Sequence, residues 1–232
     1  MKRWMHNLFM NDVRSAIDSH NMIDAGDRVL VGVSGGKDSS ILLYALTLLS
    51  RYKIYDFEVM GLTVDHGLIG GIEPYRAFCN QTGLNLEVHC EHYAIDLSVG
   101  SEYAPCYTCS RLRKGILKRV AMEKGFNKIA IGHTKEDYVE TFLMNIIQHG
   151  KLDSLKPKSE IQEGLALIRP LLLVDEKAII QASKALRFPL MQDECRYAQG
   201  RLRSRSEDML KAMETYVPEF SDKLIQAMGV KF

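Results

Sequence analysis

The stretch Val31-Gly-Val-Ser-Gly-Gly-Lys-Asp-Ser39 decides which fold this chain is expected to adopt. It follows the apolar run 28–31 and precedes the helix-like run 40–46, so it predicts a strand, a glycine turn and a helix start. Two adjacent glycines let the backbone turn tightly because they carry no Cβ. The first amides of the following helix, and its positive dipole end, then face an anion. The stretch therefore predicts a phosphate-binding loop rather than an ordinary strand–helix turn.

The polar residues of this loop narrow the kind of phosphate chemistry. Ser34, Lys37 and Ser39 add two hydroxyls and a cation, but their spacing does not fit the Walker pattern. The loop resembles the PP-loop of the N-type ATP pyrophosphatases. Those enzymes cleave ATP between the α and β phosphates, release pyrophosphate and leave AMP on an acceptor. The resemblance implies an adenylating enzyme rather than a kinase or a motor.

Composition limits the class of protein. The chain has 232 residues, a net charge of +1, 46% hydrophobic residues and 25% charged residues, as expected of a globular protein with a real core. No apolar run approaches the length of a membrane span, and residues 1–7 lack the apolar core of a signal peptide. We expect a cytoplasmic protein with no membrane partner. Five cysteines, an odd number, suit metal or redox chemistry better than a disulfide framework.

Strand-like and helix-like runs alternate along the chain. The predicted strands are 28–33, 57–64, 84–90 and 128–131. The predicted helices are 11–23, 39–51, 72–82, 109–124, 136–148, 176–186, 206–216 and a last one from Pro218. This alternation predicts an α/β fold with a doubly wound parallel sheet. Ligands of such sheets bind at the carboxyl ends of the strands, where the PP-loop and the loops 64–67 and 131–137 are expected to meet.

The chain is expected to divide into three parts. Residues 1–25 form an N-terminal helical segment, residues 26–175 the PP-loop ATP-binding α/β domain with the Cys-x-x-Cys, and residues 176–232 a C-terminal helical extension with the third cysteine. The pattern changes after Gln148, and residues 151–163 are polar. There is no internal repeat and no low-complexity tract.

Cys106 and Cys109 have the spacing that clasps one metal ion or one edge of a cluster. Cys195 is the candidate third ligand, whereas Cys79 and Cys90 are expected to be core or near-core residues. Structural zinc usually takes four ligands, so three thiolates favour a [4Fe-4S] cluster with one open iron that binds sulfur. A redox dithiol, a chance spacing or a zinc site remains open.

Basic residues cluster near these cysteines although the net charge is close to zero. Arg111, Lys114 and Lys118 recur on one helix face. Two further clusters have the same character: Lys151, Lys156 and Lys158, and Arg196, Arg201, Arg203 and Arg205. Lys and Arg contacts to phosphate dominate nucleic-acid affinity, so these segments predict RNA contact. The alternative is a solvated helix face.

Four motifs resemble one family when they are taken in order. They are the PP-loop, Cys-Tyr-Thr-Cys-Ser-Arg-Leu-Arg-Lys-Gly at 106–115, Ile-Gly-His-Thr-Lys-Glu-Asp at 131–137 and Ile-Arg-Pro-Leu at 168–171. With Cys195 they resemble the tRNA 2-thiocytidine synthetase (TtcA-like) family over roughly residues 10–225. The resemblance implies an adenine-nucleotide alpha-hydrolase-like fold. It also implies an ATP-dependent tRNA sulfurtransferase that adenylates the C2 oxygen of a pyrimidine, cytidine at position 32, and replaces it with sulfur.

The resemblance also implies roles for individual residues. ATP, with Mg²⁺ on its phosphates, would be bound by Ser34, Gly35, Gly36, Lys37, Asp38, Ser39, Val64 and Gly132. The cluster would be ligated by Cys106, Cys109 and Cys195. The catalytic residues would be Asp137 near the activated base, Arg113 as its cationic partner, and Asp38 near the metal and pyrophosphate. A purely structural role as a helix N-cap fits Thr134 better than Asp137.

Other activities remain open at the level of sequence. The second loop, residues 63–68, resembles that of the lysidine synthetases, which add lysine instead of sulfur to a tRNA cytidine. The alternatives are a uridine-thiolating relative, a lysidine- or NAD-synthetase-like ligase, and a regulatory module that only senses nucleotide. The leading reading implies tRNA as a partner, cysteine desulfurase or sulfide as the sulfur donor, and a possible homodimer.

Overall fold

The computed structural model describes residues 3–93, 105–193 and 202–228. The strands are β1 (Asp27–Gly32), β2 (Phe57–Asp65), β3 (Ile69–Gly70), β4 (Leu86–Cys90), β5 (Lys128–Ala130), β6 (Lys158–Gln162), β7 (Leu165–Ile168) and β8 (Gln192–Asp193). The helices are α1 (Arg3–Met5), α2 (Asn11–Ser19), α3 (Lys37–Arg51), α4 (Ile72–Thr82), α5 (Pro105–Glu123), α6 (Lys135–His149), α7 (Glu176–Leu186), α8 (Leu202–Tyr216) and α9 (Phe220–Ala227). A π-helical turn, His6–Met10, joins α1 to α2.

Six strands form the main sheet in the order β4-β2-β1-β5-β7-β6. The first five strands are parallel, and β6 pairs antiparallel with β7 at the edge. The strand order changes direction at β1, because β2 lies on one side of it and β5 on the other. Ligands of open α/β sheets bind outside the carboxyl ends of the strands at such a switch point. The predicted doubly wound α/β fold is confirmed, with one antiparallel edge strand added.

The sheet buries an apolar layer on each face because successive side chains of a strand alternate. Val29 and Val31 of β1 point into a core that includes α2, α3 and α7. Leu30, between them, belongs to the other core, where Leu117 and Val120 of α5 are buried. The central strand is therefore covered on both sides, as its continuous apolar run requires.

Most predicted elements form within a few residues of their expected bounds. Helices α4 and α7 begin and end where the sequence predicts, and α5 begins at Pro105, four residues earlier than predicted. A proline is well placed in the first turn of a helix, since its missing N–H would have no partner there. No strand was assigned within the polar segment 151–163, but Lys158–Gln162 forms β6, a half-exposed edge strand that tolerates polar residues.

The helices near the carboxyl terminus pack on α6. Tyr138 and Phe142 of α6 form a separate apolar cluster with Leu210 of α8 and Ile225 of α9. The Lys135 ammonium, buried at the start of α6, pairs with carboxylates of Asp175 and Asp222. The division of the chain at residues 25 and 175 stays a prediction.

Two short strands connect distant parts of the chain beside the sheet. Ile69 of β3 pairs with Asp193 of β8, and Gly70 pairs with Gln192, in antiparallel register. The segment that follows the second loop is thereby joined to the segment that precedes Cys195. Across the described ranges, no helix combines the length and the apolar character needed to cross a membrane.

Candidate nucleotide and sulfur-transfer site

The loop between β1 and α3 forms a tight, hydrogen-bonded turn. Gly35 has a φ of +80°, which favours glycine, and Gly36 is the N-cap of α3. The Ser34 amide donates to the Ser39 Oγ at 3.1 Å, and the Ser39 hydroxyl lies 3.2 Å from the Gly36 carbonyl. Gly36 has no side chain with which to cap the helix, so the first amides of α3 are directed toward the crevice. This geometry suits an anion such as a nucleotide phosphate.

A segment distant in sequence packs against the PP-loop and restricts its conformation. The Met191 amide donates to the Gly35 carbonyl at 3.0 Å. A Cβ added at Gly35 would lie 2.4 Å from the Met191 Cβ, so only glycine fits this contact. Because β8 begins at the next residue, this contact places the start of β8 beside the PP-loop.

Charged side chains at the start of α3 are coupled to one another. The Lys37 Nζ lies 3.1 Å from Asp38 Oδ2 and 2.7 Å from Glu176 Oε1. Burial acts to lower the pKa of Lys37, but the bonds and charges of Glu176 and Asp38 outweigh it and raise that pKa. Lys37 is therefore a stable cation, held by carboxylates that a phosphate could replace.

Asp38 has one oxygen that points to a further ligand. Its Oδ1 is buried and has no hydrogen-bond partner among the described residues. Burial raises the pKa of this carboxyl, although Lys37 acts against the rise. A buried carboxylate oxygen without a donor is costly unless a cation or proton reaches it. The Asp38 carboxylate is therefore suited to a hard divalent cation such as Mg²⁺.

The third loop approaches the start of α3 through Gly132. A Cβ at Gly132 would lie 3.0 Å from both the Asp38 carbonyl carbon and the Ser39 amide nitrogen. These are backbone atoms of α3, which cannot yield as a flexible side chain would. The absence of a side chain at Gly132 therefore sets the distance between the third loop and the PP-loop.

Asp137 has a structural contact at the start of α6. Its Oδ2 accepts the Thr134 amide at 2.8 Å, and the two residues form a capping box with Thr134 as the N-cap. The N-cap assignment made from sequence for Thr134 is confirmed. Asp137 takes part in the same cap from the third helical position, so its carboxylate is fixed in orientation. Its catalytic role stays a prediction.

Two residues of the second loop, Val64 and His66, have buried side chains. Val64 is 3% exposed, and its side chain packs in the core beside Leu30. His66, which follows the end of β2, is 2% exposed, and its ring centroid lies 6.0 Å from that of Tyr93. Any contact of Val64 with ATP is therefore expected to involve its main chain.

Cys109 lies near the start of α5 beside a cation. The Arg113 Nη2 lies 3.7 Å from the Cys109 Sγ, and the Tyr93 hydroxyl lies 3.8 Å from it. Burial, and then the hydrogen bond to Cys109, raise the pKa of Tyr93 to about 12, so its hydroxyl keeps its proton. The Cys109 sulfur therefore lies between a cationic and a hydroxyl side chain.

The other two predicted ligands are less fully placed. The backbone of Cys106 belongs to the first turn of α5, one turn before Cys109, and Cys195 lies outside the described residues. Cys79 is buried, as predicted, but the prediction for Cys90 was wrong, because its side chain is exposed. Cys90 ends β4, whose side chains are only partly covered along its whole length.

The sequence analysis did not predict two contacts of the site. Arg169, 9% exposed, donates its Nε–H to the His133 Nδ1 at 3.0 Å, which connects the Ile-Arg-Pro-Leu motif to the third loop. Burial lowers the pKa of the Arg169 guanidinium. An arginine within an apolar run was the available signal. The sequence contains no signal for the Lys37–Glu176 pair, because the two residues lie far apart along the chain.

The strand, the glycine loop and the helix start, with two more loops at the same sheet edge, define a PP-loop nucleotide-binding domain. The PP-loop domain family matches residues 7–207. A tRNA-cytidine(32) 2-sulfurtransferase of Geotalea daltonii is 35% identical over 97% of this chain and 92% of its own length. One of Geobacter metallireducens is 34% identical over 94% of this chain and 88% of its own. The chain therefore belongs to the tRNA-cytidine(32) 2-sulfurtransferase family of PP-loop proteins.

A solved structure supports the fold at lower identity. The U34-tRNA thiolase of Methanococcus maripaludis, solved with its [4Fe-4S] cluster, superimposes with a TM-score of 0.77. It is 23% identical, and the match covers 94% of this chain and 76% of that one. At this identity the likeness establishes the common fold.

Proposed function

We propose that this protein is an ATP-dependent tRNA sulfurtransferase that converts cytidine at position 32 to 2-thiocytidine. Membership of the family supports the reaction, because its relatives carry that name. The observation that carries the proposal is the contact between the PP-loop and the segment before Cys195. The Met191 amide donates to the Gly35 carbonyl at 3.0 Å, so the third predicted cysteine follows a segment anchored at the phosphate site.

ATP would bind at the carboxyl end of β1. The amides at the start of α3, the Ser34 and Ser39 hydroxyls and the Lys37 ammonium would hold its phosphates. Asp38 fits Mg²⁺, since its Oδ1 is buried and has no donor among the described residues. Bound Mg²⁺ would neutralise phosphate charge and so favour departure of pyrophosphate.

Cys106, Cys109 and Cys195 would hold a [4Fe-4S] cluster. The described member of this set fits the group, because the Cys109 thiol lies beside the Arg113 guanidinium at the start of a helix. Three ligands suit the cluster better than structural zinc, which takes four. When bound, the cluster supplies a position from which sulfur is delivered as a nucleophile.

The reaction is written as two displacements. The C2 oxygen of cytidine attacks the α phosphate of ATP, and the α–β bridging bond breaks to release pyrophosphate. A hydrosulfide equivalent then attacks C2, and the C2–O bond breaks so that AMP leaves with the oxygen. Lys37 would stabilise charge on the phosphates, Asp137 would orient the activated base or take its proton, and Arg113 would stabilise the incoming sulfur anion.

Exposed basic side chains of two segments would bind tRNA. Arg111 and Lys114 are exposed on α5, and Lys151 and Lys156 are exposed before β6. Their contacts with phosphate would position the anticodon arm and give a salt-dependent affinity. We place the reaction in the cytoplasm, with sulfur from a cysteine desulfurase or from sulfide, and a homodimer as the possible assembly.

The test is mass spectrometry of tRNA nucleosides from cells that lack the gene. We expect 2-thiocytidine to disappear and to return with the wild-type gene but not with the Cys109→Ser variant. Ser110→Ala, a change at the next and exposed residue, is the matched control and should restore it. Loss of a thiolated uridine, or of lysidine, would instead assign the chain to another activity of the PP-loop group. A colourless, fully active protein containing zinc would overturn the cluster.

A further inference from the structure

A second set of donor atoms converges at the carboxyl ends of β2 and β4, outside the predicted cluster ligands. The carboxylate of Asp65, the thiol of Cys90 and the imidazole of His92 each place one ligand atom within 4.8 Å of the other two. The Asp65 Oδ2 and the His92 Nε2 are 3.5 Å apart. The set therefore contains oxygen, sulfur and nitrogen around one point.

The backbone and a neighbouring amide hold this arrangement in place. Asp65 and Cys90 are directly opposite each other in the β2–β4 register, and the Glu91 amide donates to the Asp65 carbonyl at 2.9 Å. The Gly67 amide donates to the Asp65 Oδ1 at 2.9 Å, which leaves Oδ2 directed to His92. Two strand ends and one loop amide thus hold Asp65 and the backbone of Cys90 in place.

The neighbouring charged groups are engaged elsewhere. The Glu91 carboxylate pairs with Arg119 and with the His89 Nε2 at 3.2 Å. His89 precedes Cys90 on β4, so its side chain points to the opposite face. Glu91 and His89 are therefore separate from the three-donor set, and His89 provides a matched control.

We propose that Asp65, Cys90 and His92 form a mononuclear site for a borderline divalent cation of the zinc class. Metal–ligand lengths of about 2.0–2.3 Å place tetrahedral ligands about 3.3–3.7 Å apart, and the Asp65–His92 separation falls within that range. Three protein ligands leave a fourth position for water. The mixed donor set suits zinc or cobalt better than Mg²⁺, which prefers oxygen.

A nucleophilic triad is the competing interpretation, and the geometry disfavours it. In a triad the imidazole lies between the nucleophile and the carboxylate, and each of them bonds a different ring nitrogen. Here the Asp65 oxygen and the Cys90 sulfur lie within 4.8 Å of each other, too close for an imidazole to separate them. Three donors that all lie this close together suit a single ion at their centre instead.

The proposed metal site lies next in sequence to a residue that contacts Cys109, one of the predicted cluster ligands. Tyr93 directly follows His92, and its hydroxyl donates to the Cys109 carbonyl at 3.4 Å. A metal that joins Asp65 and Cys90 to His92 would fix the start of the segment that leads from β4 to α5. The site is independent of the proposed tRNA reaction, so either proposal can fail alone.

The test uses cobalt as a spectroscopic probe. In the full chain with Cys106, Cys109 and Cys195 replaced by alanine, Co²⁺ should produce a sulfur-to-cobalt charge-transfer band and the spectrum of a four-coordinate ion. Cys90→Ser should abolish the band, and His92→Gln should weaken Co²⁺ binding by about 100-fold. His89→Gln should leave both unchanged. Circular dichroism confirms that each variant is folded.

A second measurement keeps the wild-type cysteines. In wild-type protein loaded with iron and sulfide and then dialysed with Zn²⁺, elemental analysis should find one zinc per chain. Cys90→Ser should lose that zinc and keep the iron. No charge-transfer band in the three-alanine chain, or a zinc content that Cys90→Ser does not change, would overturn the site.

Discussion

The two halves of the crevice are built in different ways. The phosphate side, from Ser34 to Ser39, is made by one local strand–turn–helix and is locked by backbone contacts with Gly132 and Met191. The sulfur side is expected to combine Cys106 and Cys109 with Cys195, which lies more than 80 positions further along the chain, and Cys109 has side-chain contacts with Arg113 and Tyr93. The first half depends on backbone geometry, whereas the second depends on how segments are brought together.

This difference suggests that the two halves can be damaged separately. A change on the phosphate side should affect pyrophosphate release and, through it, every later step. A change on the sulfur side should leave adenylation intact and stop only the exchange of oxygen for sulfur. Pyrophosphate release and 2-thiocytidine formation, measured in the Asp38 and Arg113 variants, test this separation, and a variant that affects the wrong step would contradict it.

The largest effect is expected from Asp38→Asn on the phosphate side. Loss of the carboxylate removes a proposed Mg²⁺ ligand, and we expect tRNA-dependent pyrophosphate release to fall by about 100- to 1,000-fold. Pyrophosphate release and 2-thiocytidine formation are measured in the same assay, and both should fall together. Near-normal pyrophosphate release in this variant would remove Asp38 from the catalytic set.

The stability of the same variant separates a catalytic role from a structural one. Burial raises the pKa of Asp38, so the folded state binds its proton more tightly than the unfolded state. The stability that this group contributes is therefore fully present below the pKa of Asp38 in the unfolded chain. It is lost as the pH rises through the higher pKa of the folded state. Asn carries no charge, so Asp38→Asn should not lower the free energy of unfolding at neutral pH, as measured by urea denaturation.

The second effect is expected from Arg113→Lys on the sulfur side. Lysine keeps the charge but not the planar fork that faces Cys109, so we expect 2-thiocytidine formation to fall by about 10- to 100-fold. Pyrophosphate release should be unchanged. Arg119→Lys, an exposed change on the same helix, is the control and should affect neither step. Equal loss of both steps in Arg113→Lys would show that the halves are not separable.

The phosphate side was predictable from sequence because its geometry is local. The PP-loop and both bounds of α4 follow from glycines whose effect reaches only a few residues, such as Gly83 with its φ of +69°. The pairing of β3 with β8 was not predictable, because two-residue strands carry no periodicity and 121 residues separate Gly70 from Gln192. Sequence named Arg113 through a family resemblance but could not place it.

Exposure was also poorly predictable at the edge of the sheet. Cys90 was expected to be a core or near-core residue at the end of a strand-like run, but its side chain is exposed and its strand lies at the edge of the sheet. An edge strand is covered less completely than a central one, and nothing in the run itself tells which position the strand takes. The same reason explains β6, the polar strand at the opposite edge.

The third effect tests the contact that sets the distance between two loops. In Gly132→Ala the new methyl group would lie 3.0 Å from backbone atoms of Asp38 and Ser39. We expect a loss of about 1–3 kcal/mol in the free energy of unfolding and a weaker affinity for ATP, because the start of α3 must shift. Urea denaturation and ATP titration measure the two quantities.

Gly115→Ala is the matched control for that variant. A Cβ at Gly115, inside α5, would have no atom within 4 Å. Alanine should therefore stabilise the protein by about 0.5–1 kcal/mol through the lower flexibility of the unfolded chain. If both variants change the free energy of unfolding in the same direction, a steric clash of the added methyl group at position 132 does not explain the effect of Gly132→Ala.

The smallest effect concerns the ion pair that Lys37 makes before ATP binds. Glu176 Oε1 lies 2.7 Å from the Lys37 Nζ, and both side chains are partly exposed. Such a pair contributes about 0.2–1 kcal/mol, and a phosphate must displace it. Glu176→Gln removes the competing charge, so the Kd for ATP should fall by about 1.4- to 5-fold, measured by calorimetry without tRNA. A higher Kd would mean that Glu176 orients Lys37 for the phosphate. The Lys37–Glu176 ion pair would then persist when ATP is bound.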